Sequence, residues 1–145
     1  MKIGTYNPVD MSLVTDDATG ISFGNTIRGG YSPSPVVIKP EATTEGSFTK
    51  LALFLEDNAG LSSTSFRYLK SAVAIEGIGS GSASLSNHFT EVAGVEDFSS
   101  YSNISGYGAS LDASAPEFIW LDCKVGVNAS VGSAAVNYRF IFEYA

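Results

Sequence analysis

The pattern of apolar and polar positions is clearest near the end of the chain. In residues 116–127, and again in residues 136–144, apolar side chains recur at every second position. A period of two places alternate side chains on opposite faces of a β-strand. The pattern predicts two strands that face each other across a short polar loop, the first of them buried on one side only. The aligned apolar positions are Ile119, Leu121, Cys123, Val125 and Val127 in the first run and Val136, Tyr138, Phe140, Phe142 and Tyr144 in the second.

Shorter apolar runs predict further strands upstream. Residues 21–27 predict a short strand that is interrupted at Gly24, since a glycine inside a strand pattern often marks a bulge. Residues 36–39 are mostly β-branched and are followed by Pro40, and prolines at both ends of this run predict an edge strand. Residues 89–95 predict one more short strand.

Two runs fit either a strand or a helix. In residues 47–57, Leu51, Leu53 and Leu55 would line one face of a strand, although other apolar residues of the run have helical spacing. We interpret this run as a strand because it is short and has turn-like residues on both sides. Residues 66–73 also have apolar residues three and four apart, so helix is an open alternative in both places. We expect at most one short helix.

Three stretches lack a sustained period. Residues 1–19 predict an irregular N-terminal arm. Residues 75–86 are rich in glycine and serine, but they lack the last glycine of a dinucleotide-binding motif and the lysine of a phosphate-binding loop. We interpret them as a β-turn or a bulged strand. Residues 96–115 predict a long loop rich in serine, glycine and tyrosine, of the kind that often carries binding residues.

Together these elements predict an all-β fold. With 145 residues, the chain is long enough to enclose one core. Many short strands, Gly/Pro/Ser turns and an aromatic content of 12% are typical of an antiparallel sandwich or jelly roll. We therefore expect a single-domain antiparallel β-sandwich or jelly roll at residues 20–145, preceded by the irregular arm at residues 1–19.

Charge and hydropathy narrow the range of partners. The net charge is −7, and no cluster of Lys and Arg is present of the kind that nucleic acid or an anionic membrane requires. Charged residues make up 16%, against about 25% in a typical soluble domain. A surface with few charges costs little to desolvate against another protein. No run approaches the ~20 apolar residues of a membrane span, and the N-terminus lacks the apolar core of a signal peptide.

The sequence nominates no site for catalysis or metal binding. His88 is the only histidine, so a Ser-His-Asp triad or a histidine metal site would depend on it, and no Gly-x-Ser-x-Gly motif is present. Asp16, Asp17 and residues 56–58 lack the spaced ligands of a calcium loop. Cys123 lies on an apolar face, which indicates a buried, inert thiol. We predict a non-enzymatic protein with no catalytic residue, cofactor or metal.

Four stretches resemble the small β-sandwich virion proteins of tailed bacteriophages, namely residues 36–40, 47–56, 118–122 and 137–144. The resemblance lies in the general pattern of residue types and extends over most of the chain. It implies an accessory capsid protein that decorates or cements the shell, or else a neck, tail or baseplate component. The implied partners are copies of the chain itself and the major capsid protein or another virion protein. The implied location is the virion, after synthesis in the host cytoplasm without a signal peptide.

A carbohydrate-binding β-sandwich module is the alternative from a different class. Exposed aromatic rings can stack on sugars beside polar side chains that donate and accept hydrogen bonds. Tyr101, Tyr107 and Trp120 are the candidates for such stacking, although Trp120 also fits packing against a neighbouring sheet or subunit. A structural subunit is expected to self-associate or to sediment with a particle, whereas a carbohydrate-binding module is expected to be retained on a glycan matrix.

Overall fold

The computed structural model describes residues 1–42, 48–55, 64–85, 108–110, 117–133 and 138–144, and this part of the chain contains β-strands and no helix. Since it contains no helix, it also contains none that could cross a membrane. The all-β prediction is confirmed. The strands are β1 (Lys2–Tyr6), β2 (Leu13–Thr15), β3 (Val36–Glu41), β4 (Phe48–Leu55), β5 (Ser65–Ser71), β6 (Gly108–Ser110), β7 (Phe118–Lys124) and β8 (Tyr138–Tyr144).

The strands form two antiparallel sheets. One sheet has five strands in the order β2-β1-β3-β7-β5, and the other has three strands in the order β6-β4-β8. β7 pairs with β5 along its whole length, with Phe118 opposite Ser71 and Lys124 opposite Ser65. The two alternating runs of the C-terminal region form β7 and β8. These two strands belong to different sheets, β7 to the five-stranded sheet and β8 to the three-stranded sheet.

One face of the five-stranded sheet, here called the inner face, contacts the three-stranded sheet. Ile38, Tyr68, Ile119 and Leu121 form one buried cluster with Leu53 of β4. Each of these side chains is at most 8% exposed, and aromatic residues of β8 pack against the cluster. Burial of a large aliphatic side chain stabilises a fold by about 1.5–3 kcal/mol. The predicted apolar face of β7 thus contributes to the main apolar contact of the described chain.

The opposite face of this sheet, here called the outer face, is also buried. Trp120 of β7 and Val37 of β3 form a second cluster with Ile78 and Leu85, which come from an irregular segment. This segment, residues 76–85, lies across the outer face and leaves Trp120 fully buried. The prediction that the first C-terminal strand is buried on one side only is therefore wrong, because an element without strand periodicity covers its other side.

The prediction of an irregular arm at residues 1–19 is also wrong. β1 lies inside the five-stranded sheet between β2 and β3, and Ile3 packs against the inner cluster. The alternation is hard to recognise because Gly4 takes one outward position without a side chain, and because β2 exposes all of its residues. A strand that buries no apolar side chain carries no signal with a period of two.

The prediction that residues 36–39 form an edge strand is wrong as well. The strand exists as β3, but it is the central strand of the five-stranded sheet. Its pairing with β7 ends at Ile38, which lies opposite Ile119. Pro40 lies beyond that point, so its missing N–H removes no hydrogen bond from the pairing with β7.

The other predictions have different outcomes. β4 confirms the strand interpretation of residues 47–57 over the described residues 48–55, and β5 replaces the helix alternative at residues 66–73. The strand prediction for residues 21–27 is wrong, because this segment has no regular secondary structure. Its Ile21 and Phe23 nevertheless pack against the inner cluster. The predicted turns at residues 75–86 are confirmed over the described residues 75–85. Residues 89–95 lie outside the described residues. Of the predicted loop at residues 96–115 the structure describes only β6, where the loop prediction is wrong because the chain pairs with β4 as a strand.

Candidate functional site

A buried ion pair between Arg67 and Asp122 is the most polar feature of the outer face. Arg67 Nε donates to Asp122 Oδ1 at 2.9 Å, and Arg67 Nη2 donates to Asp122 Oδ2 at 2.6 Å. Arg67 is 7% exposed and Asp122 is 0% exposed. The two residues lie directly opposite each other in β5 and β7. The sheet register therefore sets this bidentate geometry.

The Asp122 carboxylate also holds residues 76–85 on the sheet. The Gly81 N–H donates to Asp122 Oδ2 at 2.9 Å. Gly81 has a φ of 74°, and a Cβ at this position would lie 2.9 Å from Cδ2 of Tyr31. A residue with a side chain would be strained and crowded here, so glycine is required. The covering segment is thus attached by a directional hydrogen bond as well as by apolar packing.

This arrangement supports the fold. The carboxylate accepts hydrogen bonds from Arg67 and Gly81, and Asp122 is fully buried. The hydrogen bonds to Asp122 raise the pKa of Arg67, which remains charged. The Arg67 guanidinium also lies 4.7 Å from the centre of the Tyr31 ring. A buried charge that is paired and hydrogen-bonded in this way is satisfied by the protein itself.

The sequence contains a weak signal for this ion pair. Asp122 is a carboxylate inside an otherwise largely apolar strand, and Arg67 lies in a second run of the same character. Their partnership depends on the register between β5 and β7, which the pattern of a single strand does not specify.

Two loops beyond the end of β7 are hydrogen-bonded to each other. The Gly29 N–H donates to the Val125 carbonyl at 2.8 Å, and the Val125 N–H donates to the Gly30 carbonyl at 3.0 Å. The Ser32 N–H donates to the Cys123 carbonyl at 2.8 Å. Backbone pairing therefore fixes the two loops relative to each other. We call the surface formed by residues 27–31 and 124–131 the tip.

The tip exposes three aliphatic side chains. Ile27 is 78% exposed, Val127 is 70% exposed and Val131 is 87% exposed. A Cβ on Gly29 would lie 3.1 Å from Cγ1 of Val127, and a Cβ on Gly30 would lie 2.7 Å from Cγ1 of Ile27. Two of the exposed side chains therefore flank one Gly-Gly pair. The prediction that Val127 faces the core is wrong, because β7 ends at Lys124 and the chain turns.

The tip is positively charged, although the chain as a whole is acidic. Arg28 and Lys124 are both exposed. The tip contains no Asp or Glu, whereas the whole chain has a net charge of −7. Lys124 Nζ lies 5.3 Å from the centre of the Tyr31 ring, which places this cation beside the loop that contains Gly29 and Gly30. The tip thus combines aliphatic side chains with two cations.

A second exposed surface lies at β2, which ends the five-stranded sheet on one side. Val9 is 70% exposed, Leu13 is 56% exposed and Val14 is 68% exposed. In the pairing with β1, Leu13 lies opposite Tyr6 and Thr15 lies opposite Thr5. Val14 therefore has no opposite residue, which makes a β-bulge. We call the surface formed by residues 9–17 the acidic edge.

Carboxylates surround the apolar residues of the acidic edge. Asp10, Asp16 and Asp17 are exposed. Hydrogen bonds from Ser12 lower the pKa of Asp10, which favours its charged form. Among the described residues, Lys2 is the basic residue that pairs here, with Nζ 3.7 Å from Asp16 Oδ2 and 3.6 Å from a Glu41 carboxylate oxygen. Carboxylates outnumber this cation, so the acidic edge is negatively charged.

The structure shows the surroundings of some of the residues that the sequence nominated as candidates for a functional site. Trp120 is 0% exposed beneath residues 76–85, so it offers no surface for stacking on a sugar. Cys123 is 5% exposed, and burial raises the pKa of its thiol, as expected for a structural cysteine. His88, Tyr101, Tyr107 and residues 56–58 lie outside the described residues. Within the described ranges, no group of three or more His, Cys, Asp or Glu side chains could hold a metal ion.

Comparison with protein-family models, with curated proteins and with solved structures gave no match.

Proposed function

We propose that this chain is a non-enzymatic structural subunit that works by binding protein surfaces. The specific role that we propose is a capsid decoration or cement protein of a tailed bacteriophage, with a neck, tail or baseplate component as the alternative. In this role the chain binds the major capsid protein or another virion protein and also copies of itself. It acts in the virion.

The tip is the observation that carries this proposal. Ile27, Val127 and Val131 are exposed on loops that backbone hydrogen bonds fix in place. Aliphatic side chains that occur singly on a surface need no explanation, but exposed aliphatic side chains on adjacent loops, such as Ile27 and Val127 beside one Gly-Gly pair, are typical of a site that contacts another protein. Because these loops are already ordered by their own hydrogen bonds, little conformational entropy is lost on binding.

The composition of the chain supports the same role. Charged residues are 16% of the sequence, and protein interfaces are poor in Lys, Glu and Asp at their centres. A specific interface of standard size buries about 800 Å² on each partner. A cement protein stabilises a shell by binding neighbouring shell subunits at the same time, so that separation of those subunits also breaks its own contacts.

We further propose that the two sheets form a β-sandwich. The cluster that joins Leu53 of β4 to Ile38, Ile119 and Leu121 supports this architecture, because the two apolar faces share one set of buried contacts. A sandwich suits a cement protein because its two sheets make a rigid body, while the loops at its ends remain available for contacts.

The test is purification from the native source, followed by electron microscopy with an antibody against the chain. The expected result is co-sedimentation with a particle and regular labelling of its shell. Labelling confined to the neck, tail or baseplate would support the alternative. A free monomer with no particle carrying it would refute the structural role, and retention of a small species on a glycan matrix would favour a carbohydrate-binding module.

A further inference from the structure

The tip and the acidic edge, two exposed apolar surfaces in the described part of the chain, have opposite charge. The tip carries Arg28 and Lys124 with no carboxylate in its own residues. The acidic edge carries Asp10, Asp16 and Asp17, which are all exposed. Surfaces of opposite charge attract each other, and contact between surfaces of like charge is disfavoured.

Each surface also has exposed aliphatic residues beside its charges. Val127 and Val131 lie in the loop that follows Lys124 on the tip, and Leu13 and Val14 lie just before Asp16 on the acidic edge. Docking of one surface on the other would remove aliphatic side chains from water on both sides. The apolar groups would contribute affinity, and the charges would select the orientation.

We propose that the tip of one copy of this chain docks on the acidic edge of a second copy. This inference rests on the proposed function, which it deepens by naming the partner and the two surfaces in contact. Because the contact joins two different surfaces, each copy can bind one neighbour through its tip and another neighbour through its acidic edge. Contacts of this type build rings when the rotation closes and filaments when it does not.

Contacts between two tips, or between two acidic edges, are disfavoured because they bring side chains of the same charge together. Two tips in contact would bring Arg28 and Lys124 against the same residues of the second copy. Two acidic edges in contact would bring Asp16 and Asp17 against carboxylates. Like charges opposed across an interface cost free energy, so both symmetric arrangements are disfavoured.

The acidic edge is also unsuited to adding a further strand. β2 has only three residues, and the bulge at Val14 interrupts its register with β1. Short, bulged edges with charged neighbours are features that protect a sheet from pairing edge to edge with another sheet. The tip therefore docks on the side chains of residues 9–17, and the docked pair gains no continuous sheet.

The charge dependence can be tested by sedimentation velocity on the purified chain over a range of concentration and salt. Reversal of the tip charges by Arg28→Glu with Lys124→Glu is expected to weaken self-association by about tenfold, because it replaces attraction between the two surfaces with repulsion. Reversal of the acidic edge by Asp16→Lys with Asp17→Lys is expected to have a similar effect. Self-association of the unmodified chain is expected to weaken as salt is added.

The decisive variant carries all four substitutions. Its tip is acidic and its edge is basic, so the proposed contact is again complementary and self-association is expected to return. A contact of tip with tip would not be restored in this variant. Failure of the fourfold variant to recover, while both double variants are impaired, would overturn the assignment of the two surfaces.

The apolar part of the contact needs a separate pair of variants. Val127→Asp places a charge on the tip and is expected to abolish self-association. Val73→Asp is the matched control, because Val73 is a valine of similar exposure, at 65%, outside both surfaces. Circular dichroism and thermal unfolding establish that every variant is folded. Equal self-association of the Val127→Asp and Val73→Asp variants would overturn the inference.

The inference and the proposed function can fail separately. A purified chain that remains monomeric at all concentrations and salt conditions overturns the contact between copies. Such a monomer could still be found on the shell of a particle by electron microscopy, so the structural role would stand. If the chain instead self-associates as expected but no particle carries it, the proposed function fails and the inference remains.

Discussion

The two faces of β7 are buried by different means. On the inner face, Ile119 and Leu121 pack with Leu53 of the three-stranded sheet, and the contact is apolar. On the outer face, Trp120 packs under residues 76–85, while the neighbouring Asp122 holds Arg67 and the Gly81 N–H. One strand thus takes part in an apolar core on one side and in a polar attachment on the other.

The difference follows from what covers each face. A strand satisfies its own backbone hydrogen bonds in a sheet, so a second sheet can cover the inner face with side chains alone. An irregular segment such as residues 76–85 has backbone groups that lack sheet partners, and Asp122 accepts one of these N–H groups. Apolar packing is non-directional, whereas the hydrogen bond fixes where the segment lies.

The largest expected effect is on the outer face. Asp122→Ala leaves the Arg67 guanidinium buried without its partner and removes the acceptor of the Gly81 N–H. Removal of one partner of a buried ion pair costs about 3–5 kcal/mol, so the free energy of unfolding is expected to fall by this amount. Urea unfolding followed by circular dichroism measures the change.

The double variant Arg67→Met with Asp122→Leu is the control for this prediction. Replacement of a buried ion pair by apolar residues of similar volume is often neutral or stabilising. The double variant is therefore expected to recover much of the lost stability, except for the hydrogen bond to Gly81. If Asp122→Ala costs less than about 1 kcal/mol, the range for ordinary surface pairs, the polar attachment of the outer face is refuted.

The next largest effect is expected on the inner face. Leu121→Ala removes a side chain that is 2% exposed and leaves a cavity in the cluster with Leu53. Substitutions of buried Leu by Ala cost about 2–5 kcal/mol, and we expect about 3 kcal/mol. Because this contact is apolar, the loss is expected to be insensitive to salt in the same urea measurements. Val131→Ala, on the exposed tip, is the control and is expected to change stability by less than about 0.5 kcal/mol.

The smallest effect is expected at a hydroxyl beside the inner face. The Tyr138 hydroxyl is buried and has no hydrogen-bond partner among the described residues, and its ring packs against the inner cluster. Tyr138→Phe removes an unsatisfied polar atom, so the free energy of unfolding at neutral pH is expected to stay the same or to rise by about 1 kcal/mol.

The pH dependence of stability provides a second measurement on Tyr138. Burial raises the pKa of Tyr138 well above its ordinary value. The folded pKa therefore exceeds the unfolded one, which is about 10. The contribution of this group is fully present below pH 10 and is lost as the pH rises from there towards the folded pKa. Tyr138→Phe is expected to reduce the alkaline loss of stability, and an unchanged alkaline profile would contradict this expectation.

The inner face could be predicted from the sequence because its signal is local. Ile119 and Leu121 alternate along β7, and the aromatic residues of β8 alternate in the same way, so each strand shows one apolar face without knowledge of its partner. The all-β class, β4 and the turns at residues 75–85 followed from similar local signals. The burial of Cys123 could be predicted from the same alternation.

The outer face and the exposed surfaces could not be predicted in this way. The cover over Trp120 comes from residues 76–85, whose glycine-rich sequence has no period, and the partner of Asp122 is set by the register of β5 against β7. β1 and β2 give almost no apolar alternation because Gly4 lacks a side chain and Leu13 is exposed. The tip depends on hydrogen bonds between distant loops, which are not local in sequence.

The sealed position of Trp120 gives this molecule an intrinsic optical reporter. It is the only tryptophan in the chain, so the indole emission has a single source. Detachment of residues 76–85 would admit water to the indole and shift its emission to longer wavelength, even while the far-ultraviolet signal of the strands stayed constant. Stopped-flow fluorescence could therefore time the opening of one side of the sheet independently of the unfolding of the whole chain.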